Sequence, residues 1–332
     1  MGQKTNVAQK TNVLVSEVGP RDGLQSIRSI MPLQAKKAWL SAEAAAGVRE
    51  IEVGSFVPAR LLPQLADTAE VVAHALTIPG LTVAVLVPNL KGAQAAVAAG
   101  VHKITIPFSA SDTHLLKNVR HTPEEMLAET RAIVSLLRSL PPGRRPKLEG
   151  GISTAFGCSY EGNVPADKVV RLAETLMQAG CDEVGLSDTT GYANPAQVKD
   201  LVIRVRRAVG EHALAGLHMH NTRGLGLANV LAGLEVGVRT FDSSLGGLGG
   251  CPWAPGASGN VVTEDLVFML EAMGIATGID IPRLLDVRSI LKQALPQEEL
   301  YGFVPEAGLP LGFGGAAIAG LPAEASDSSA VK

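Results

Sequence analysis

The chain has 332 residues, 46% of them apolar and 18% charged, with a formal net charge of −3. That composition supplies a sizeable core and excludes disorder over most of the length, and 29 basic against 32 acidic residues exclude the basic excess of a dedicated nucleic-acid binder. Three scattered cysteines (Cys158, Cys181 and Cys251) with no CxxC spacing exclude a disulfide framework and a zinc ribbon, so a reducing, cytoplasmic compartment is expected.

The first residues carry QKTNV twice, at 3–7 and 9–13, and the polar stretch 1–12 reads as a disordered start. Short β-rich runs follow at 13–18, 50–53, 82–87, 103–108, 147–153, 183–188, 214–220 and 240–244. The gaps between them hold alanine- and leucine-rich segments with helical spacing, such as 33–46, 123–140, 165–178 and 195–209. Pro32, Pro123, Pro165 and Pro195 stand where a first helical turn begins, and Gly47, Gly100, Gly180 and Gly237 stand where helices end. The two long uncharged stretches are broken by Pro79-Gly80 and Pro88-Asn89 or filled with glycine and proline after Ser243, so no membrane partner is expected.

Eight alternating strand–helix units over 13–290 predict a (β/α)8 TIM barrel. A doubly wound open sheet is the structural alternative, although no GxGxxG follows the first strand. Residues 291–322 form a short C-terminal extension in this reading, with no regular structure assigned to 308–320, and 323–332 a disordered tail.

A barrel carries its chemistry at the carboxyl ends of its strands. Those ends hold Arg21 and Asp22 after strand one, Glu52 in strand two, Asp188 after strand six and the pair His218 and His220 in strand seven. Residues two apart on a strand share a face, so both imidazoles can meet one cation, and Asp22 completes a two-histidine, one-carboxylate set. One histidine could instead cap the strand. Glu52 could turn outward by strand parity or serve as a buried support, and Asp188 could cap the Thr189-Thr190-Gly191 turn. His74, His102, His114, His121 and His212 read as surface or locally bonded residues. The run Gly246–Gly250 makes Cys251 part of a mobile loop, whereas Cys181 reads as core filler.

The run Val18-Gly19-Pro20-Arg21-Asp22-Gly23-Leu24-Gln25 resembles 3-hydroxy-3-methylglutaryl-CoA lyases, as does Gly246 to Pro252 continuing through Gly256-Ala257-Ser258-Gly259-Asn260 to Leu266. Gly157-Cys158 and Tyr160-Glu161-Gly162 are further matches, and the likeness extends from about 13 to 290. RDGLQ with HxH also suits related aldolases and acyltransferases, whereas the GLGGCP loop points to the lyases. The resemblance implies a TIM barrel that uses a divalent cation, Mg²⁺ or Mn²⁺, to cleave an acyl-CoA substrate to acetyl-CoA and acetoacetate, as in leucine and ketone-body metabolism. It implies Asp22, His218, His220 and Asn260 as metal ligands, Arg21 as the substrate-binding group that stabilises the enolate, and His218, Glu52, Asp188 and Cys251 as further catalytic residues. A homodimer is the expected assembly.

Departures from the family pattern are Asn221 for an aspartate, Arg223 for a tyrosine, Ser187 for a glycine and Ser26-Ile27-Arg28 for a more polar run. They leave the ligands and the cysteine in place but bear on the acyl group accepted. The rival readings are an isopropylmalate-synthase-like condensing enzyme, disfavoured by the short extension, and a non-catalytic acyl-CoA binding protein.

Overall fold

The structure is a computed structural model and describes residues 13–249 and 259–314. Eight parallel strands, β1 (Leu14–Glu17), β2 (Glu50–Ser55), β3 (Thr82–Leu86), β4 (Lys103–Ser109), β5 (Lys147–Ser153), β6 (Glu183–Ser187), β7 (Leu214–His218) and β8 (Thr240–Ser243), pair in sequence order. β8 returns to β1 in the register Leu14 with Thr240 and Glu17 with Ser243, which closes the barrel and removes the open-sheet alternative. The helices are α1 (Leu33–Ala46), α2 (Thr68–Ala75), α3 (Leu90–Ala99), α4 (Asp112–Val119), α5 (Pro123–Arg138), α6 (Ala166–Ala179), α7 (Pro195–Val209), α8 (Gly226–Glu235), α9 (Thr263–Ala272), α10 (Ile281–Ala294) and the short α11 (Val304–Ala307).

The helix ends follow the punctuation in the sequence. Pro123 and Pro195 occupy the first helical position behind Thr122 and Asn194, each of which completes a capping box. Pro32 and Pro165 instead stand one residue earlier, at the N-cap. α1, α3 and α6 end on Gly47, Gly100 and Gly180 at φ of 113°, 82° and 108°, a left-handed geometry that costs other residues a Cβ clash. α10 runs across the boundary expected at 290, and 295–313 folds back over α9 and β8's exit, with Asp265 accepting the amides of Phe303 and Val304. No helix among the described residues is long and apolar enough to cross a membrane.

Alternation along the strands divides two environments. Ile51, Val83, Ile104, Leu148, Val184, Leu217 and Phe241 are buried against the helices together with Trp39 and Leu40 of α1. Burial of each such side chain stabilises the fold by roughly 1.5–3 kcal/mol. The opposite parity faces the barrel interior and is polar or small: Ser16, Glu52, Ala84, Thr105, Gly151 and Gly185 line a cavity of about 820 Å³ that opens at the carboxyl ends of the strands. Barrels usually fill these positions with Val, Ile and Leu. Here space and charge are left inside.

Candidate active site

Beyond β1 the chain coils through a π-helical turn over Gly19–Gly23, in which the amides of Arg21, Asp22 and Gly23 reach the Val18 carbonyl at 3.1, 2.7 and 3.4 Å. Such turns are rare and are frequently found at functional sites. The tight coil brings two consecutive side chains, Arg21 and Asp22, to the cavity together. β2 parity places Glu52 inside, where its Oε2 accepts Arg21 Nε at 2.5 Å; the outward alternative for Glu52 is thereby removed.

His218 is the last residue of β7. The strand expected to continue to His220 stops there, because the ladder with β8 ends at the pairing of His218 with Asp242. His220 lies two residues on, secured instead by an isolated antiparallel bridge to Asn260. The two imidazoles still converge: their Nε2 atoms lie 3.0 Å apart, and Met219 between them is buried on the other side. Asp22, His218 and His220 each offer a ligand atom within 4.8 Å of one another. Asn260 Nδ2 donates to Asp22 Oδ2 at 2.8 Å, which places the side chain expected as a fourth ligand beside the triad.

The electrostatics follow from burial. Desolvation opposes the charge on Asp22, but Arg21 Nη1 at 2.5 Å from its Oδ1 and the two histidines hold its carboxyl well below the usual range. Burial lowers the His220 imidazole to about 3, and the neighbouring His218 adds to that. A neutral imidazole with a free lone pair is the form that binds a cation. Burial also acts against charge on His218, yet Asp242 Oδ2 at 3.1 Å from Nδ1 and Asp22 reverse the direction and raise its pKa. Asp242 was not singled out from the sequence, and a carboxylate behind a histidine fixes the tautomer and ring orientation. Its signal is register alone: it stands directly opposite His218 on β8.

Asp188 takes its capping reading. Its Oδ1 caps the following turn by accepting the amides of Tyr192 and Ala193 at 2.8 and 3.1 Å, while Oδ2 is buried without a partner among the described residues. Burial pushes this carboxyl up to about 7. It does not line the cavity, unlike its neighbours Ser187 and Thr189. Cys251 lies outside the described residues. Cys181 is buried, with its thiol pushed up to about 12 by desolvation, as befits core filler. His114 and His121, expected as local residues, also line the cavity mouth near Lys117 and Arg120. Arg223 donates to the carbonyls of Thr190 and Gly191 and lies 4.7 Å from the Tyr192 ring centroid, so this departure ties the β7 exit to the β6 exit.

The donor set suits a hard or borderline divalent cation: one carboxylate oxygen, two imidazole nitrogens and an amide oxygen. Asn260 Oδ1 is buried with no hydrogen-bond partner among the described residues, an unmet acceptor beside the triad. The residues present therefore fit such a group.

Comparison with known proteins gives the same assignment. The chain is 42% identical over 285 residues to the mitochondrial hydroxymethylglutaryl-CoA lyase of Gallus gallus, covering 85% of this chain and 93% of that one. It is 40% identical over 283 residues to the cytoplasmic 3-hydroxy-3-methylglutaryl-CoA lyase of Rattus norvegicus, covering 85% and 81%. Among solved structures, an HMG-CoA lyase from Acinetobacter baumannii in complex with coenzyme A and 3-methylmalate superimposes with a TM-score of 0.83 at 42% identity, covering 90% of this chain and 95% of that chain. With residues 12–291 matching the family described as HMGL-like, the chain belongs to that family.

Proposed function

We propose that this carbon–carbon lyase cleaves 3-hydroxy-3-methylglutaryl-CoA, or a close 3-hydroxy-3-alkyl acyl-CoA, to acetyl-CoA and a keto acid such as acetoacetate. The observation that carries the reading is the convergence of Asp22, His218 and His220 within 4.8 Å, with the Arg21 guanidinium alongside, at the mouth of the barrel. Asp22, His218, His220 and Asn260 would hold Mg²⁺ or Mn²⁺. When bound, such a cation supplies a Lewis acid that favours deprotonation of a tertiary hydroxyl.

The remaining work falls to the protein's own side chains. Cleavage expels a thioester enolate, and a fixed guanidinium can hold its charge. Arg21 is fixed through Nε by Glu52 and through Nη1 by Asp22, which leaves Nη2 for the substrate oxygen. Asp242 holds His218 in one orientation while a proton moves at the substrate hydroxyl. The family resemblance assigns delivery of the final proton to the Cys251 thiol. Lys117, Arg120 and Arg60 at the cavity lining give the mouth a basic character that suits the phosphates of an acyl-CoA. A homodimer is part of the proposal, and light scattering of the purified protein tests it.

The test is a substrate panel with Mg²⁺, in which 3-hydroxy-3-methylglutaryl-CoA is compared with shorter and longer 3-substituted analogues and acetyl-CoA is measured. Release from at least one member is expected. Cation binding without acetyl-CoA release from any member would leave only a binding protein.

A further inference from the structure

Behind the site, between β1 and the helices α1 and α9, lies a carboxyl that the reaction does not touch. Glu17 is the last residue of β1 and is completely buried. Its parity points it away from the cavity, opposite to Ser16. Oε1 accepts the amide of Gly19 at 2.8 Å and the amide of Leu245 at 2.9 Å, and Oε2 accepts the Thr263 hydroxyl at 2.7 Å.

One partner is two residues away and the other two are 228 and 246 residues away, yet the three share one property. Gly19 opens the turn that carries Arg21 and Asp22. Leu245 opens the glycine segment after β8. Thr263 begins α9, three residues after Asn260. We propose that Glu17 is a positioning residue that clasps these three segments to one another and so sets the spacing of Asp22 and Asn260 around the cation-holding site. The inference rests on the reading of that site given above.

The surrounding packing fits a clasp rather than a filler. A Cβ on Gly19 would come within 2.5 Å of Glu17 Oε1 and 2.9 Å of Ser244 Oγ, so the turn approaches the carboxyl as closely as only glycine allows. A Cβ on Gly249 would come within 2.8 Å of Gly23 Cα, so the glycine segment lies backbone against backbone on the same turn. Glu264 of α9 repeats the device at the next residue, accepting the Gly246 amide at 2.9 Å while paired with Arg288 of α10. Among the described residues Glu17 has no such cation. Burial pushes its carboxyl and that of its α1 neighbour Glu43 upward, which favours a proton held by the pair. A neutral group with two acceptor bonds at one oxygen is matched in shape by glutamine, whose Nε2 can donate to Thr263 Oγ1.

The test compares Glu17→Gln, Glu17→Ala and Thr263→Val with the parent protein. Three quantities are read: Mn²⁺ affinity by electron paramagnetic resonance, kcat and KM for 3-hydroxy-3-methylglutaryl-CoA, and amide hydrogen exchange at 19–23 and 244–248 with β4 and β5 as internal reference. Glu17→Ala is expected to speed exchange at Gly19 and Leu245 at least about tenfold and to weaken Mn²⁺ binding about 10–100-fold, the range for losing a support behind a metal ligand. It should lower kcat more than it raises KM, while Glu17→Gln stays within about threefold of the parent on all three. Unchanged Mn²⁺ affinity and kcat in a folded Glu17→Ala protein would reduce Glu17 to packing and overturn the inference. So would a Glu17→Gln protein as impaired as the alanine variant, since geometry would then not be what matters. If the alanine variant does not fold, Thr263→Val removes the Thr263 arm, together with that hydroxyl's contact to Ser243 Oγ at 2.9 Å, and should speed exchange at 244–248 and weaken Mn²⁺ binding; no change in either overturns the clasp. Should the parent bind no Mn²⁺, the proposed function fails, and the exchange data still decide the clasp.

Discussion

Two buried clusters of charge sit inside the same barrel and are built in opposite ways. Near the amino ends of the strands, Lys103 of β4 reaches Glu149 at 2.6 Å, Glu183 at 3.3 Å and Glu50 at 3.6 Å. The cation is supplied by the chain itself, and the three carboxylates raise the Lys103 pKa although burial acts against it. At the carboxyl ends, Asp22, Glu52 and Asp242 face one full-time cation, Arg21, and two histidines, of which His220 is held neutral. There Glu52 Oε1, His220 Nδ1 and Asn260 Oδ1 are buried without partners among the described residues. Unmet polar atoms shielded from solvent are costly. A cluster that closes its own bonds is structural; one that leaves donors and acceptors open is completed by what it binds.

The contrast predicts that substitutions in the two clusters fail in different assays. The largest expected effect is at Lys103. Lys103→Met leaves Glu50 and Glu149 without their cation in the interior and Glu183 with Lys147 alone, which costs about 3–5 kcal/mol of unfolding free energy by the usual penalty for breaking a buried ion pair. Denaturant titration should read that loss, with Mn²⁺ affinity unchanged; weakened Mn²⁺ binding with normal stability would erase the distinction. Arg21→Met comes next. Its partner charge exists only once the enolate forms, so kcat should fall about 10²–10³-fold with little change in KM. A mutant altered only in KM would make Arg21 a substrate anchor instead.

Asp242→Asn sharpens the upper cluster. An amide can still approach His218 Nδ1 but no longer accepts as a carboxylate, so Mn²⁺ affinity should drop about 10–100-fold at unchanged melting temperature. An affinity equal to that of the parent would remove Asp242 from the orienting role. The smallest effect is a pH slope from the lower cluster. Burial pushes Glu149 up to about 7 against the pull of Lys103, with Glu183 and Asp242 adding to the rise. An unfolded glutamate titrates near 4.3. Between those values the folded state keeps a proton that the unfolded state has released, so stability falls as pH rises from about 4.3 to about 7 and then levels. Glu149→Gln should flatten that part of the curve in thermal unfolding measured from pH 5 to 8; an unchanged slope would place the titration elsewhere.

How far the sequence carried the account depends on which signals are local. All eight strands were legible because apolar runs and glycine and proline punctuation are short-range features, whereas their number favoured closure over an open sheet and the β8–β1 pairing settles it. Asp22, His218 and Asn260 were legible through motif and family likeness. His220 was correctly paired with His218 but for an incomplete reason, since strand parity stops at His218 and the bridge to Asn260 does the rest. The π-helical turn at Gly19–Gly23 has no periodic signature in five residues. Glu17 and Asp242 were missed because a single carboxylate on a strand carries no mark of what packs against it. Their long-range partners are 228 and 246 residues away for Glu17 and 24 away for Asp242.

The central claim is that Asp22, His218, His220 and Asn260 form a site completed by a divalent cation. Titrating the purified protein and its His220→Ala variant with Mn²⁺, followed by electron paramagnetic resonance, addresses it directly. The account predicts one tight Mn²⁺ per chain in the parent and binding at least about tenfold weaker in the variant, with the two proteins unfolding at the same temperature. Equal affinity in both, or no stoichiometric binding in the parent, would contradict it.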